Sequence, residues 1–251
     1  MLTAITASAQ STDRKFVLKN SSDGLSELTS YLPKKNRNIP LSDAYQAMRT
    51  VRDSSAVWKI NKADVGIMGF SAGGHLASSV STHAEAAVRP DFSILFYPVI
   101  SMDERISHKG SCVNFLGEER NTNKKLVEEW SNDKAVRPNL TPRAIILMSF
   151  DDKVVPPVTN GVAYYSAMSK AGNECTMHIY PTAGHGWGFR DAAHGFPYHE
   201  QMLNDLTSWL NHFQGPKEDA VRVAWRIRYR LRNGSGRRPE EYALQGFKRQ
   251  I

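Results

Sequence analysis

Three residue types in this chain are placed for acyl-transfer chemistry: a serine between glycines, a carboxylate and a histidine. Ser71 lies in Gly69-Phe70-Ser71-Ala72-Gly73-Gly74, after the apolar run Val65-Gly66-Ile67-Met68 and before the small-residue run His75-Leu76-Ala77-Ser78-Ser79-Val80. Gly-x-Ser-x-Gly between a strand and a helix reads as a nucleophile elbow. In that turn the serine takes a strained backbone, and glycine-sized neighbours two residues either side avoid a clash. The turn lifts the hydroxyl clear of the sheet and aims the N–H of Ala72 at the oxygen of a bound carbonyl.

A serine hydroxyl is a weak nucleophile and needs a base. After a predicted strand ending at Phe150 comes Asp151-Asp152-Lys153-Val154-Val155-Pro156, and after one ending at Tyr180 comes Pro181-Thr182-Ala183-Gly184-His185-Gly186-Trp187-Gly188. His185 is assigned to take the serine proton and return it to the leaving alcohol. Asp152 is assigned to fix the imidazole tautomer and stabilise its protonated form. Asp151 is read as solvated. His75 and His178 fall in predicted regular elements and read as packed or hydrogen-bonded. The remaining histidines, His83, His108, His194, His199 and His212, show no metal-ligand spacing, so no metal and no cofactor is expected.

The elements that must hold these groups alternate. Strand candidates are Phe16–Leu18, Leu28–Leu32, Val65–Met68, Phe92–Tyr97, Ala144–Phe150 and Cys175–Tyr180. Helices are expected from Pro40, capped by Ser42 or Asp43, with Ala44, Ala47, Met48, Val51 and Trp58 as its apolar stripe. Others follow the elbow and span Val158–Ala171 and Tyr198–Phe213. Residues 99–143 read as mostly irregular, with one helix near Lys124–Trp130, and suggest a cap or substrate-facing insertion. Alternation at βαβ spacing predicts a mostly parallel sheet with helices on both faces, and places the chemistry at the carboxyl ends of the strands.

The 251 residues suit one large α/β domain or two small ones, with a 41% hydrophobic content and no apolar run of membrane-spanning length. The net charge of +7 is uneven. Residues 216–251 hold ten Lys/Arg against four Asp/Glu, net +6, which leaves the rest near neutral at +1. Within that tail, Val221 to Leu231 alternates apolar residues with Arg222, Arg226, Arg228 and Arg230, as an edge strand or a disordered arm does. Trp225 and Tyr229 allow a polyanion-binding reading, but no nucleic-acid module accompanies them. Cys112 and Cys175 are too few for a disulfide framework and read as lone apolar residues, with a single bridge between them left open. Residues 1–10, with Ala7-Ser8-Ala9, match the end of a secretion signal or an unstructured terminus. The former implies a secreted or periplasmic protein, the latter a cytoplasmic one. The organisation expected is therefore 1–10, a catalytic domain over 11–215, and a basic tail over 216–251.

With these stretches together, the chain resembles the α/β-hydrolase esterases of the acetylxylan-esterase type, often grouped with prolyl-oligopeptidase-like hydrolases. The resemblance rests on Pro40-Leu41-Ser42-Asp43-Ala44, Gly66 to Ala77, Asp151 to Pro157, and His178-Ile179-Tyr180-Pro181 through Gly184-His185-Gly186-Trp187-Gly188. The chain order serine, acid, histidine also agrees. The resemblance implies a secreted hydrolase that removes acetyl or similar acyl groups from plant polysaccharide, with Ser71, Asp152 and His185 as triad and Ala72 in the oxyanion hole. Trp187 and His108 are assigned to the substrate side.

One departure bears on activity. Such esterases take a second oxyanion N–H from a glycine-rich loop after an early strand, and no Gly-Gly pair precedes Gly73 here. Only Lys34 to Asn38 separates stretches that resemble the first strands from the helix before the elbow strand. A segment on the N-terminal side of the sheet is therefore expected to be missing, with weak or absent activity and an exposed sheet edge. The alternatives are a peptidase or general carboxylesterase of the same fold, and a non-catalytic binding protein built on it.

Overall fold

Runs of consecutive apolar residues make strands that are buried on both faces, and such strands pair in parallel. The computed structural model, which describes residues 37–214, has four of them: β1 (Gly66–Phe70), β2 (Phe92–Phe96), β3 (Arg143–Ser149) and β4 (Cys175–Tyr180). All pair in parallel in the order β1-β2-β3-β4, with Phe70 opposite Phe96, Phe96 opposite Leu147 and Ser149 opposite Tyr180. Because the strands run the same way, the four loops that follow them emerge at one end of the sheet. The strand candidates before Pro33 lie outside the described residues.

Every residue of β2 is buried, and Ala144 to Met148 of β3 are fully so, which marks these two as the centre of the core. Gly66 is needed in β1 for space, since a methyl group there would sit 2.1 Å from the Phe92 ring. Helix α1 (Asn38–Asp53) packs on the helix that follows the elbow, α3 (Ala72–His83), and α3 packs on β1 and β2. Helix α1 buries Pro40, Leu41, Ala44, Met48 and Val51, one stripe at the 3–4 spacing of a helix face. It starts earlier than expected, so Ser42 and Asp43 lie inside it and neither is its N-cap; Pro40 sits in the first turn, where its missing N–H has no intrahelical role. Trp58 belongs to a separate turn, α2 (Ser55–Trp58), and stays 41% exposed, outside the stripe.

The segment between β2 and β3 is more regular than its sequence suggests. It contains α4 (Lys109–Leu116), a 3₁₀ turn over Gly117–Asn121, and α5 (Lys124–Glu129). Two buried amides hold it down. The side-chain oxygen of Asn160 accepts hydrogen bonds from the N–H of Ile100, the N–H of Ser101 and the Ser107 hydroxyl. Asn132 donates to the carbonyl of His75 and to the hydroxyls of Ser78 and Ser79. Asn160 sits in a wide helical turn, Val158–Val162, that precedes α6 (Ala163–Lys170), which packs on β4.

The described residues divide into two compact units, 37–199 and 200–214. Helix α7 (His199–Gln214) opens the second and buries Met202, Leu203, Leu206 and Trp209. No described helix is long and apolar enough to cross a membrane. Cys112 and Cys175 are free thiols, not bridged, and burial pushes both up to about 12.

A buried histidine links the segment between β2 and β3 to α3. His75 is 2% exposed, and its Nε2 donates to the Trp130 carbonyl at 2.9 Å, while the Ser79 hydroxyl lies 3.4 Å from Nδ1. Burial, with a smaller contribution from the neighbouring His83, lowers its pKa to about 4, against the hydrogen bond to Trp130. A histidine kept neutral in the fold and free to protonate in the unfolded chain stabilises the protein fully above pH 6.5. That stability falls as pH drops from about 6.5 to about 4, by about 3 kcal/mol in all. Urea unfolding at pH 7 and at pH 4.5 checks this, and His75→Gln is expected to remove most of the difference attributable to this site. An identical pH dependence in that variant overturns the assignment.

Candidate active site

The elbow forms because three residues permit it. Ser71 sits at φ 53°, ψ −119°, a conformation that side chains rarely adopt. It is held there by its own N–H on the Phe96 carbonyl (3.0 Å) and by its carbonyl, which accepts from the N–H groups of His75 (3.2 Å) and Val99 (3.1 Å). A methyl group on Gly69 would lie 2.1 Å from the Gly73 carbonyl oxygen, and one on Gly74 would lie 2.8 Å from the Pro98 backbone. The backbone N–H of Ala72 opens α3, where the first N–H groups have no intrahelical acceptor and the helix dipole favours negative charge.

Three loops bring the expected groups together. The Ser71 hydroxyl is 2.7 Å from His185 Nε2, and His185 Nδ1 is 2.7 Å from Asp152 Oδ2. An N–H on Nδ1 donates to the carboxylate, which leaves Nε2 free to accept the serine proton. Asp152 is 3% exposed, and its other oxygen, Oδ1, accepts from the N–H groups of Val154 and Val155, both at 2.9 Å. The acid is thus fixed by its own loop before it meets the histidine.

Two contacts that sequence reading missed surround the imidazole. Asp151 is exposed but not merely solvated. It accepts from the Thr182 hydroxyl (2.7 Å) and from the N–H groups of Ala183 (3.1 Å) and Gly184 (2.8 Å). Tyr97 follows β2 at φ 35°, held by its N–H on the Leu147 carbonyl at 2.7 Å. Its ring meets His185 edge-on, with centroids 4.7 Å apart, and its hydroxyl accepts from the N–H of Gly188 at 2.9 Å. Burial pushes that phenol up to about 12. The only signal for Tyr97 in the sequence is its place at the carboxyl end of a buried strand.

Trp187 is not on a substrate face. It is 1% exposed and stacks on Phe196 with centroids 4.0 Å apart, among Phe96, Tyr97 and Tyr180. Its ring is core, and it anchors the loop that carries His185. His108 caps α4, with Nδ1 accepting from the Ser111 N–H and 2.9 Å from the Ser111 hydroxyl. Among the described residues, no group of three or more histidine, cysteine or acidic side chains is placed to hold a metal ion.

A parallel sheet with a strained serine after its first described strand, and an acid and a histidine after its last two, defines a serine hydrolase architecture. Residues 31–189 match the alpha/beta hydrolase fold family, and the chain belongs to it. It is 58% identical over 193 residues to an acetylxylan esterase of Xylanibacter ruminicola, covering 77% of this chain and 40% of that protein. It is 32% identical over 158 residues to endo-1,4-beta-xylanase B of Butyrivibrio fibrisolvens, covering 59% of this chain and 24% of that one. The chain therefore spans less than half the length of these curated relatives. Among solved structures it is similar to an acetyl ester-xyloside bifunctional hydrolase from Caldicellulosiruptor lactoaceticus. The TM-score is 0.63 at 32% identity, over 75% of this chain and 73% of that one.

Proposed function

We propose that this protein is a serine esterase that removes acetyl or similar acyl groups from plant polysaccharide. The observation that carries the reading is the continuous relay from the Ser71 hydroxyl through His185 to Asp152, with both links at 2.7 Å. The names of the relatives, an acetylxylan esterase and a xylanase, support the acyl group and the polymer.

In this reading Ser71 Oγ attacks the ester carbonyl as His185 takes its proton, and the Ala72 N–H receives the developing oxyanion. His185 then protonates the departing sugar oxygen as its bond to the acyl carbon breaks; water, deprotonated by His185, attacks the acyl-serine, and the acid leaves as Ser71 Oγ recovers its proton. No Gly-Gly pair precedes Gly73 in the sequence, and in this reading a second N–H is not assigned. Loss of one donor costs about 3–4 kcal/mol, so turnover roughly 10²–10³ below that of two-donor esterases accompanies the proposal. A secreted or periplasmic location, where polymeric xylan is met, belongs to the same reading.

Incubation with acetylated xylan is expected to release acetate, and p-nitrophenyl acetate to be hydrolysed, while a proline-containing peptide amide is left intact. Cleavage of the amide without acetate release overturns the esterase reading. Failure of a fluorophosphonate to label the protein removes the serine mechanism altogether.

A further inference from the structure

Residues 181–188 must hold an imidazole in place; Trp187 and the Gly188 N–H anchor them after His185, and the stretch before it needs its own restraint. Gly184, Gly186 and Gly188 all have positive φ, at 60°, 84° and 51°, and Ala183 is at 140°. A methyl group on Gly184 or Gly186 would meet nothing within 4 Å, so packing does not restrain the loop at those points. A displacement of about 1 Å in a catalytic group can cost roughly 10²-fold in rate. Something else has to fix the segment that enters His185.

The three hydrogen bonds of Asp151 do this. Its Oδ2 takes the Thr182 hydroxyl, and its Oδ1 takes the N–H groups of Ala183 and Gly184, the two residues immediately before the histidine. Hydrogen bonds to a carboxylate are stronger than those between neutral groups. Thr182, then the backbone N–H of Gly184, hold the Asp151 carboxyl below the usual carboxylate range, so the acceptor stays charged in mild acid. The neighbouring Asp152 grips the imidazole itself. One dipeptide at the end of β3 therefore sets both the ring and the chain that carries it.

We propose that Asp151 is a positioning residue for His185, binding the turn at 182–184 so that the imidazole meets Ser71 and Asp152 together. It touches neither the reacting serine nor, in this account, the substrate, and acts through the loop. For its kinetic consequences the inference rests on the esterase reading above.

The test uses the full chain and two substitutions. In Asp151→Ala all three acceptors are lost. Asp151→Asn keeps a carbonyl oxygen for the two N–H groups, and its amide can donate to the Thr182 oxygen. The alanine variant is expected to lower kcat for p-nitrophenyl acetate by roughly 10–100-fold with KM little changed, and the asparagine variant to restore most of it. An activity-independent readout is the low-field proton resonance of His185 Nδ1–H. It is expected to be sharp in the unaltered protein and in Asp151→Asn, and broadened or lost in Asp151→Ala.

An unchanged resonance in the alanine variant overturns the inference, whether or not the protein is an active esterase. If the unaltered protein hydrolyses no ester and takes no fluorophosphonate, the esterase reading fails, and the resonance still decides the role of Asp151. Asp151 is exposed, so the variants are expected to fold. Should Asp151→Ala not fold, Thr182→Val removes one of the three donors. It must then broaden the same resonance, and no change overturns the inference.

Discussion

Ser71→Ala is expected to abolish hydrolysis of p-nitrophenyl acetate, lowering kcat by about 10⁵–10⁶-fold, and to leave the protein unlabelled by a fluorophosphonate. The expectation follows from geometry. His185 Nε2 has its serine partner at 2.7 Å, and with the hydroxyl removed the base has no nucleophile to activate. The fold should not suffer, because alanine keeps the serine Cβ and the backbone bonds of the elbow go to Phe96, His75 and Val99 rather than to the side chain. Near-equal urea midpoints for the two proteins, with activity lost in one, isolate the chemistry. Residual hydrolysis within about tenfold of the unaltered rate indicates a different nucleophile and overturns the mechanism.

The parts of this site that were legible in the sequence are those whose physics is local. A strand buried on both faces must be a run of apolar residues, and Phe92–Tyr97 and Ala144–Phe150 read as strands for that reason, within a residue of the observed Phe92–Phe96 and Arg143–Ser149. The elbow is likewise local, since the clash that demands Gly69 is with the carbonyl of Gly73, four residues on. Asp152 and His185 were found because strand ends in a parallel sheet gather at one edge, so order along the chain becomes proximity in space.

What was missed depends on distant partners. Trp187 sits beside the histidine in sequence, but its direction is set by Phe96, Tyr180 and Phe196, and a motif carries no record of those. Two of the three donors to Asp151 are backbone N–H groups, which look the same whatever residue bears them. An acid held in this way reads as solvated from its neighbours alone. Helix α4 escaped because its cap is a histidine, His108, in place of the usual serine, threonine, aspartate or asparagine. In each case the local signal was weak and the tertiary contact decided.

Asp152→Asn is the sharper test of the relay, because the structure determines which way the new amide must face. Oδ1 accepts from two backbone N–H groups, those of Val154 and Val155, each at 2.9 Å. An asparagine turned with its NH₂ toward them would set donors against donors, so its carbonyl must take that side. The NH₂ then faces His185 Nδ1 at the position Oδ2 occupies, 2.7 Å away. Nδ1 becomes the acceptor, the imidazole proton moves to Nε2, and the nitrogen that should receive the serine proton already carries one. In triads of this arrangement that wrong tautomer lowers kcat about 10⁴-fold while leaving the fold intact. Asp152→Ala differs in kind: it leaves the buried N–H of Val155 unpaired, at about 1–3 kcal/mol, and the part-buried N–H of Val154 without its acceptor, so activity and stability fall together. Steady-state kinetics beside urea unfolding separates the two variants. An asparagine variant that retains kcat within about tenfold means that the Asp152 carboxylate does not set the tautomer of His185, and the acid must then be removed from the mechanism.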